Sequence, residues 1–397
     1  GNTVLGESAL DASVSGGNNT AIGKNALTSL TSAADCTAVG EDALAGVTTG
    51  SNNIGVGVDA LKSCTTGSGN IAVGRRALDA VTDGNLNVAV GQSALGQNTA
   101  DNNTAVGYAS LTANTSGGSN VAVGHECLDA NTTASNNTAV GKGCMGNNTT
   151  GANNTAIGKS AMGNNTTASD NTAVGLNALL VNTTGAELTA IGSEALDANT
   201  TANSCTAVGM GALTSNTTAN DNTAVGRKAL HNNTTGLRNT ACGKNSLFSN
   251  TTANHNSAFG SASLDENTTG SENTAIGFSA MGLNSTGTGN VAVGAYSLDA
   301  NTTAGNNTSI GYESMGSNTT GANNVAVGAA ALQLNTTADD NVGVGYNVLN
   351  QNTTGTSNTA VGSASLDANT SGTDNLALGR LALTNNTTGS KNVAVGK

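Results

Sequence analysis

The chain has 397 residues, with 54 Gly, no Pro, no Trp, four Tyr and three Phe, and a formal net charge of −12. So few aromatic side chains cannot build the large core that this length would ordinarily enclose. The thin acidic charge is a poor match for nucleic acid or an anionic membrane surface, both of which attract basic patches, and no apolar run is long enough to span a bilayer.

Low charge and few large apolar groups would suit a disordered chain, but the sequence is strictly periodic, and a repeat takes precedence over composition. Counted from the glycine that closes each "TAVG"-like phrase, 24 such glycines run from Gly6 to Gly396. Of the 23 intervals 22 are 17 residues, and the exception, Gly91 to Gly107, is 16. The missing residue falls in "NTADNN", which marks that segment as a turn. Each unit reads G-x-x-A-L-x-x-N-T-T-G-x-x-N-T-A-V, with the glycine as offset 0.

In chain order, the first units carry Ser13, Leu30, Val47, Cys64 and Val81 at offset 7, and from Asn98 to Asn386 that offset is Asn in 18 consecutive units. This change near residue 97 reads as a change of turn type within one continuous array over residues 1–397. Offset 4 is Leu or Met in every complete unit, Leu179 and Leu196 among them. Offset 13 is Asn in 21 of 24 units, interrupted by Cys36, Leu188 and Cys205. Seventeen residues are too few for two packed helices, and the central glycine and β-branched residues disfavour helix. Two short strands and two turns per unit fit better. The expected fold is an all-β parallel β-solenoid of 24 coils, each stacked about 4.8 Å from the next, in a rod of roughly 110 Å.

Alternation along a strand places offsets 14 and 16 on one face and 15 on the other. The bulky residues at 14 and 16 are expected to line the interior with the Leu or Met at offset 4. The Ala, Gly and Ser at offset 15 are then expected to form an outward small-residue ladder against which an identical rod packs. Because apolar residues replace Asn in both polar columns, Asn98, Asn114 and Asn131 at offset 7 and Asn137, Asn154 and Asn171 at offset 13 are expected to point inward. There they stack as amide ladders that satisfy their own buried polar groups.

Phrases such as "NVAVGQSAL" at residues 87–95 resemble the head repeat of YadA-type trimeric autotransporter adhesins, and the "NTAIGxxAL…NTTG" arrays are similar to those of bacterial-virus tail fibres. The resemblance covers the whole chain in 24 copies. It implies a left-handed β-roll, three of which associate side by side as a homotrimer, and an extracellular role in a virion fibre or cell-surface appendage. The 17-residue unit departs from the roughly 14-residue adhesin repeat, so the resemblance transfers no binding residue. Gly1 enters at offset 12 and Lys397 leaves at offset 1, so the natural protein is expected to continue past both ends, into an anchor and a tip or trimerisation domain.

No residue pattern points to catalysis, a cofactor or a metal. The cysteines at 36, 64, 127, 144, 205 and 242 occupy offsets 3, 7, 13 and 16 and read as inward-facing free thiols. Stacked Cys127 and Cys144 lie too far apart for a disulfide. His125, His231 and His255 fall at unrelated offsets, and the aspartates of the "LDA" phrases never occupy consecutive units, so they form no close carboxylate pair. The edge just after the motif glycine varies most. It carries Tyr108, Phe278, Tyr312 and Tyr346 with Arg75, Arg76, Arg227 and Lys228, and is the candidate surface for a host glycan or protein. The leading expectation is a structural fibre segment. The alternative is an adhesin head that binds a receptor, glycan or matrix protein along the rod. Ice binding ranks third, because an inward offset 14 leaves no outward Thr-x-Thr column.

Overall fold

In the computed structural model, which describes residues 1–397, the motif glycine sets the shape of every coil. Its φ lies near +135°, and a Cβ added at Gly141 would sit 2.4 Å from the carbonyl oxygen of Gly158 in the next coil. Only glycine allows the stacked backbones to approach this closely. The three residues before it form the strand, and each strand pairs in parallel, in register, with its equivalent one coil away: Thr155 with Thr172, Ala156 with Ala173 and Ile157 with Val174.

The chain divides into two compact units, Gly1–Thr201 and Ala202–Lys397. The first holds twelve strands, from β1 (Thr3–Leu5) to β12 (Thr189–Ile191), each paired with the next. The second holds twelve more, from β13 (Thr206–Val208) to β24 (Val393–Val395), paired in the same way. Each unit is therefore a parallel β-solenoid with the expected repeat. At the strand spacing of about 4.8 Å, each column of twelve strands is roughly 50 Å long.

Each coil contains one strand where two were expected. The second stretch, around offsets 2–6, makes ladder-like bonds to its neighbours, such as Leu27 N to Ala43 O and Asn25 N to Glu7 O. Its residues at offsets 2 and 4 have φ near +50°, however, as at Asn25 (57°) and Leu27 (54°), so the backbone alternates handedness and cannot pleat. A left-handed leucine costs about 1–2 kcal/mol. Full burial of its side chain contributes about 1.5–3 kcal/mol, so packing offsets the strain. Leu179 and Leu196 are both fully buried, as expected.

The orientation of the strand is the reverse of the expectation. Offset 15 faces the interior: Ala105, Ala139, Ala173 and Ala224 are 0% exposed, while their neighbours at offsets 14 and 16 are half-buried or exposed. The cause is the thinness of the coil. At Gly55, one of two glycines at this offset, a Cβ would lie 2.9 Å from Leu44 Cδ1 and 3.2 Å from Ala60 O. The leucine of offset 4 has already filled the coil, and the facing wall has room for one methyl group. Offset 15 is small because it is packed, so the outward small-residue ladder does not exist.

The amide columns close the two ends of this thin core. At offset 13, Asn137 Oδ1 accepts from the backbone N–H of Asn154 at 3.0 Å, and Asn137 Nδ2 donates to Gly151 O at 3.0 Å. At offset 7, Asn131 Nδ2 donates to Asn114 Oδ1 at 2.8 Å and to Ala134 O at 3.0 Å. Asn98, Asn114, Asn131, Asn137, Asn154 and Asn171 are all buried. In the coil of Val47, where an apolar residue fills offset 7, the offset 13 amide takes over its carbonyl, Asn53 Nδ2 reaching both Gly50 O and Gly67 O, and in the next coil the Cys64 thiol reaches Gly67 O at 3.4 Å. The left-handed positions fall at the same offsets on either side of residue 97, so the side chain changes there while the turn backbone does not. The cover that neighbours supply is visible where it is missing: Val4, Leu5, Val393 and Val395 are 47–75% exposed.

Candidate contact surfaces

Reversal of the strand moves the bulky columns to the surface. Offset 14 is Thr in 14 of 24 coils, and offset 16 is Val, Ile, Leu, Phe or Cys throughout. Within the first unit Val106, Ile157 and Ile191 are 36–41% exposed, and within the second Val225, Phe259, Ile276 and Ile310 are 38–43% exposed. Scattered apolar residues on a surface need no account, but a contiguous apolar column does. Its polar backbone is already paired within the ladder, so what remains to be covered is side chain. An outward Thr-x-Val column therefore exists, contrary to the sequence-based expectation that offset 14 points inward.

The edge after the motif glycine forms a second surface. Tyr108, Phe278, Tyr312 and Tyr346 are 49–61% exposed, and Arg75, Arg76 and Arg227 are exposed. They do not converge on one place. Tyr108 stacks on His125 at 5.2 Å between centroids, and Lys228 Nζ lies 5.8 Å from the ring of Phe248, which stacks on His231 at 5.3 Å. Arg76 lies 3.8 Å from Asp59, whose other oxygen takes Lys62 at 2.9 Å, and Lys62 also reaches Asp42 at 2.8 Å. Lys62, with Asn25, holds the Asp42 carboxyl below the usual carboxylate range. Phe278 and Tyr312 are joined by Tyr296, which meets them edge-on at 5.3 and 6.3 Å. Tyr296 was not among the candidates because it sits at offset 2. The left-handed backbone there (φ 56°) is what brings it to the same edge.

The offset 5 aspartates share one environment. Burial pushes the carboxyls of Asp79, Asp129, Asp197, Asp265, Asp299 and Asp367 above their ordinary value. Asp197 Oδ1 and Asp265 Oδ1 are buried without a hydrogen-bond partner. Of the six free thiols, five are buried as expected and Cys242 is exposed, because its offset 16 belongs to the outward column. Burial pushes the Cys64 and Cys205 thiols up to about 11. Cys127 is pushed up first by its bond with the Cys144 thiol, then by burial. No group of three or more His, Cys, Asp or Glu side chains is placed to hold a metal ion, and no helix is long and apolar enough to cross a membrane.

No family model matches the chain, and no curated protein matches it.

Proposed function

We propose that this chain is a structural repeat segment of an extracellular or virion fibre, in which copies pack side by side through the outward offset 14/16 face and carry a recognition element away from its base. The observation that carries this reading is the outward offset 16 column, apolar in nearly every coil of each unit and exposed or half-buried along its length. A partner that contacts every coil needs side chains at the same repeat of about 4.8 Å along the stack. A second copy of this chain has that period in register, and an irregular globular surface does not. The resemblance to trimeric adhesin heads and tail fibres sets the expected number at three copies.

The test is the mass of the purified chain by sedimentation, beside a variant with three consecutive outward residues charged, Ile157→Lys, Val174→Lys and Ile191→Lys. The reading expects three times the 38.3 kDa chain for the native protein and a folded monomer for the variant. A monomeric native chain would refute it.

The same face favours a second reading. Outward Thr at offset 14, eight in the first unit and six in the second, beside Val and Ile, give each unit a regular surface of the kind that orders water, so ice binding regains ground that the inward placement had removed. A monomeric native chain that also shows freezing hysteresis would support it.

A further inference from the structure

Four of the seven aromatic residues lie on one edge within five successive coils of the second unit: Phe278, Tyr296, Tyr312 and Tyr346, each 38–61% exposed. A groove of about 250 Å³ opens beside Tyr296, lined by Asp299, Glu313, Gly316, Ser317 and Gln333. Its polar groups are already held in place. Gln333 Nε2 donates to Glu313 Oε2 at 2.6 Å, and Asn350 Nδ2 donates to Gln333 Oε1 and to Ala330 O, both at 3.0 Å.

From this arrangement we infer that the Phe278–Tyr346 edge is a binding strip for an extended, neutral saccharide. Exposed tyrosines pair an apolar face with a polar tip, which suits a sugar ring that has an apolar face and a hydroxyl rim. Planar amides, a serine hydroxyl and carboxylates supply both donors and acceptors, as hydroxyl groups require. Two competing ligand classes fit less well. An anionic saccharide would need cations, and there is no Lys or Arg between Lys244 and Arg380. A small organic cation needs ring faces that converge on one point. Here the rings meet edge-on at 80° and 87° and run along the stack, which makes a strip and not a cage. The strip goes beyond the fibre role and does not depend on it.

The test is affinity electrophoresis in native gels containing soluble neutral polysaccharides (dextran, a galactomannan and a xyloglucan), with polylysine as a comparison. It is run on the native chain and on the three-lysine variant above, so that loss of assembly and loss of binding are read separately. At least one polysaccharide is expected to retard the protein, with no change at roughly 0.5 M salt, where exposed charges are screened. Tyr312→Ala with Tyr346→Ala is expected to weaken retardation at least tenfold, and Glu313→Gln to weaken it without altering the melting temperature. Tyr108→Ala, in the other unit, is expected to change nothing. Absence of retardation by all three polysaccharides overturns the inference, as does equal retardation of the double variant or salt-sensitive binding to polylysine alone.

Discussion

Replacing an offset 15 alanine by valine separates the two orientations of the strand. Ala105 is fully buried between coils. At the equivalent Gly55 even one methyl group would approach Leu44 Cδ1 to 2.9 Å, so the two additional methyls of Ala105→Val have no space. Overpacking of this kind costs about 1–3 kcal/mol. If offset 15 faced solvent, the same substitution would be neutral or slightly stabilising, since valine is the better strand former. Thr104→Val, one residue earlier on the outward face, serves as the control and is expected to stay within about 0.5 kcal/mol. Denaturant midpoints of the two variants decide the matter. A neutral Ala105→Val together with a destabilising Thr104→Val would refute the inward placement.

Three further outcomes follow from the buried polar groups and thiols. Asn165→Ala removes an amide that donates to Asn148 Oδ1 at 2.7 Å and Ala168 O at 3.1 Å and accepts from Asn182 at 3.2 Å. Ala168 O keeps the Asn154 amide and Asn182 Nδ2 keeps Gly185 O, so the buried group left unpaired is Asn148 Oδ1. Leaving it unpaired is expected to cost about 1–3 kcal/mol, which would appear as faster amide exchange in the flanking coils. The offset 5 aspartates have folded pKa values raised by burial. Their contribution is therefore fully present below the unfolded value near 4 and is lost as pH rises through the folded pKa. The melting temperature is expected to rise as pH falls from neutral towards 4, and Asp197→Asn with Asp265→Asn to flatten that slope. A thiol reagent is expected to modify Cys242 alone among the six cysteines until denaturant is added, and more slowly in assembled than in dissociated protein. Rapid reaction of Cys64 or Cys205 would contradict their burial.

The period, the parallel register and the interior amide and leucine columns were legible because each is a repeated choice whose exceptions are informative. Leu30 and Val47 in place of Asn place the offset 7 column inside on sequence alone. The side of the sheet was misread because alternation shows which residues share a face and not which face is inward. Bulk is no sign of burial here, because in so thin a coil the one large residue at offset 4 leaves room only for Ala opposite. The sequence held a cue to this. Val348, the one valine at offset 3, is matched by Gly343 at offset 15, and a Cβ on Gly343 would lie 3.1 Å from Val348 Cγ1. Such a compensating exchange of volume is what two residues in one packed core require. The aromatic edge was read only in part, because the left-handed offset 2 that adds Tyr296 to it is not a feature of side-chain pattern.

Cys242 gives the most direct test of side-by-side packing, because it is the one exposed thiol and lies on the outward strand face. Copies packed in parallel and in register bring their Cys242 side chains together. Mild oxidation followed by a non-reducing gel is predicted to give a cross-linked pair of chains that disappears in Cys242→Ser. A chain that stays monomeric under oxidation, with Cys242 fully reactive at every protein concentration, would contradict the account.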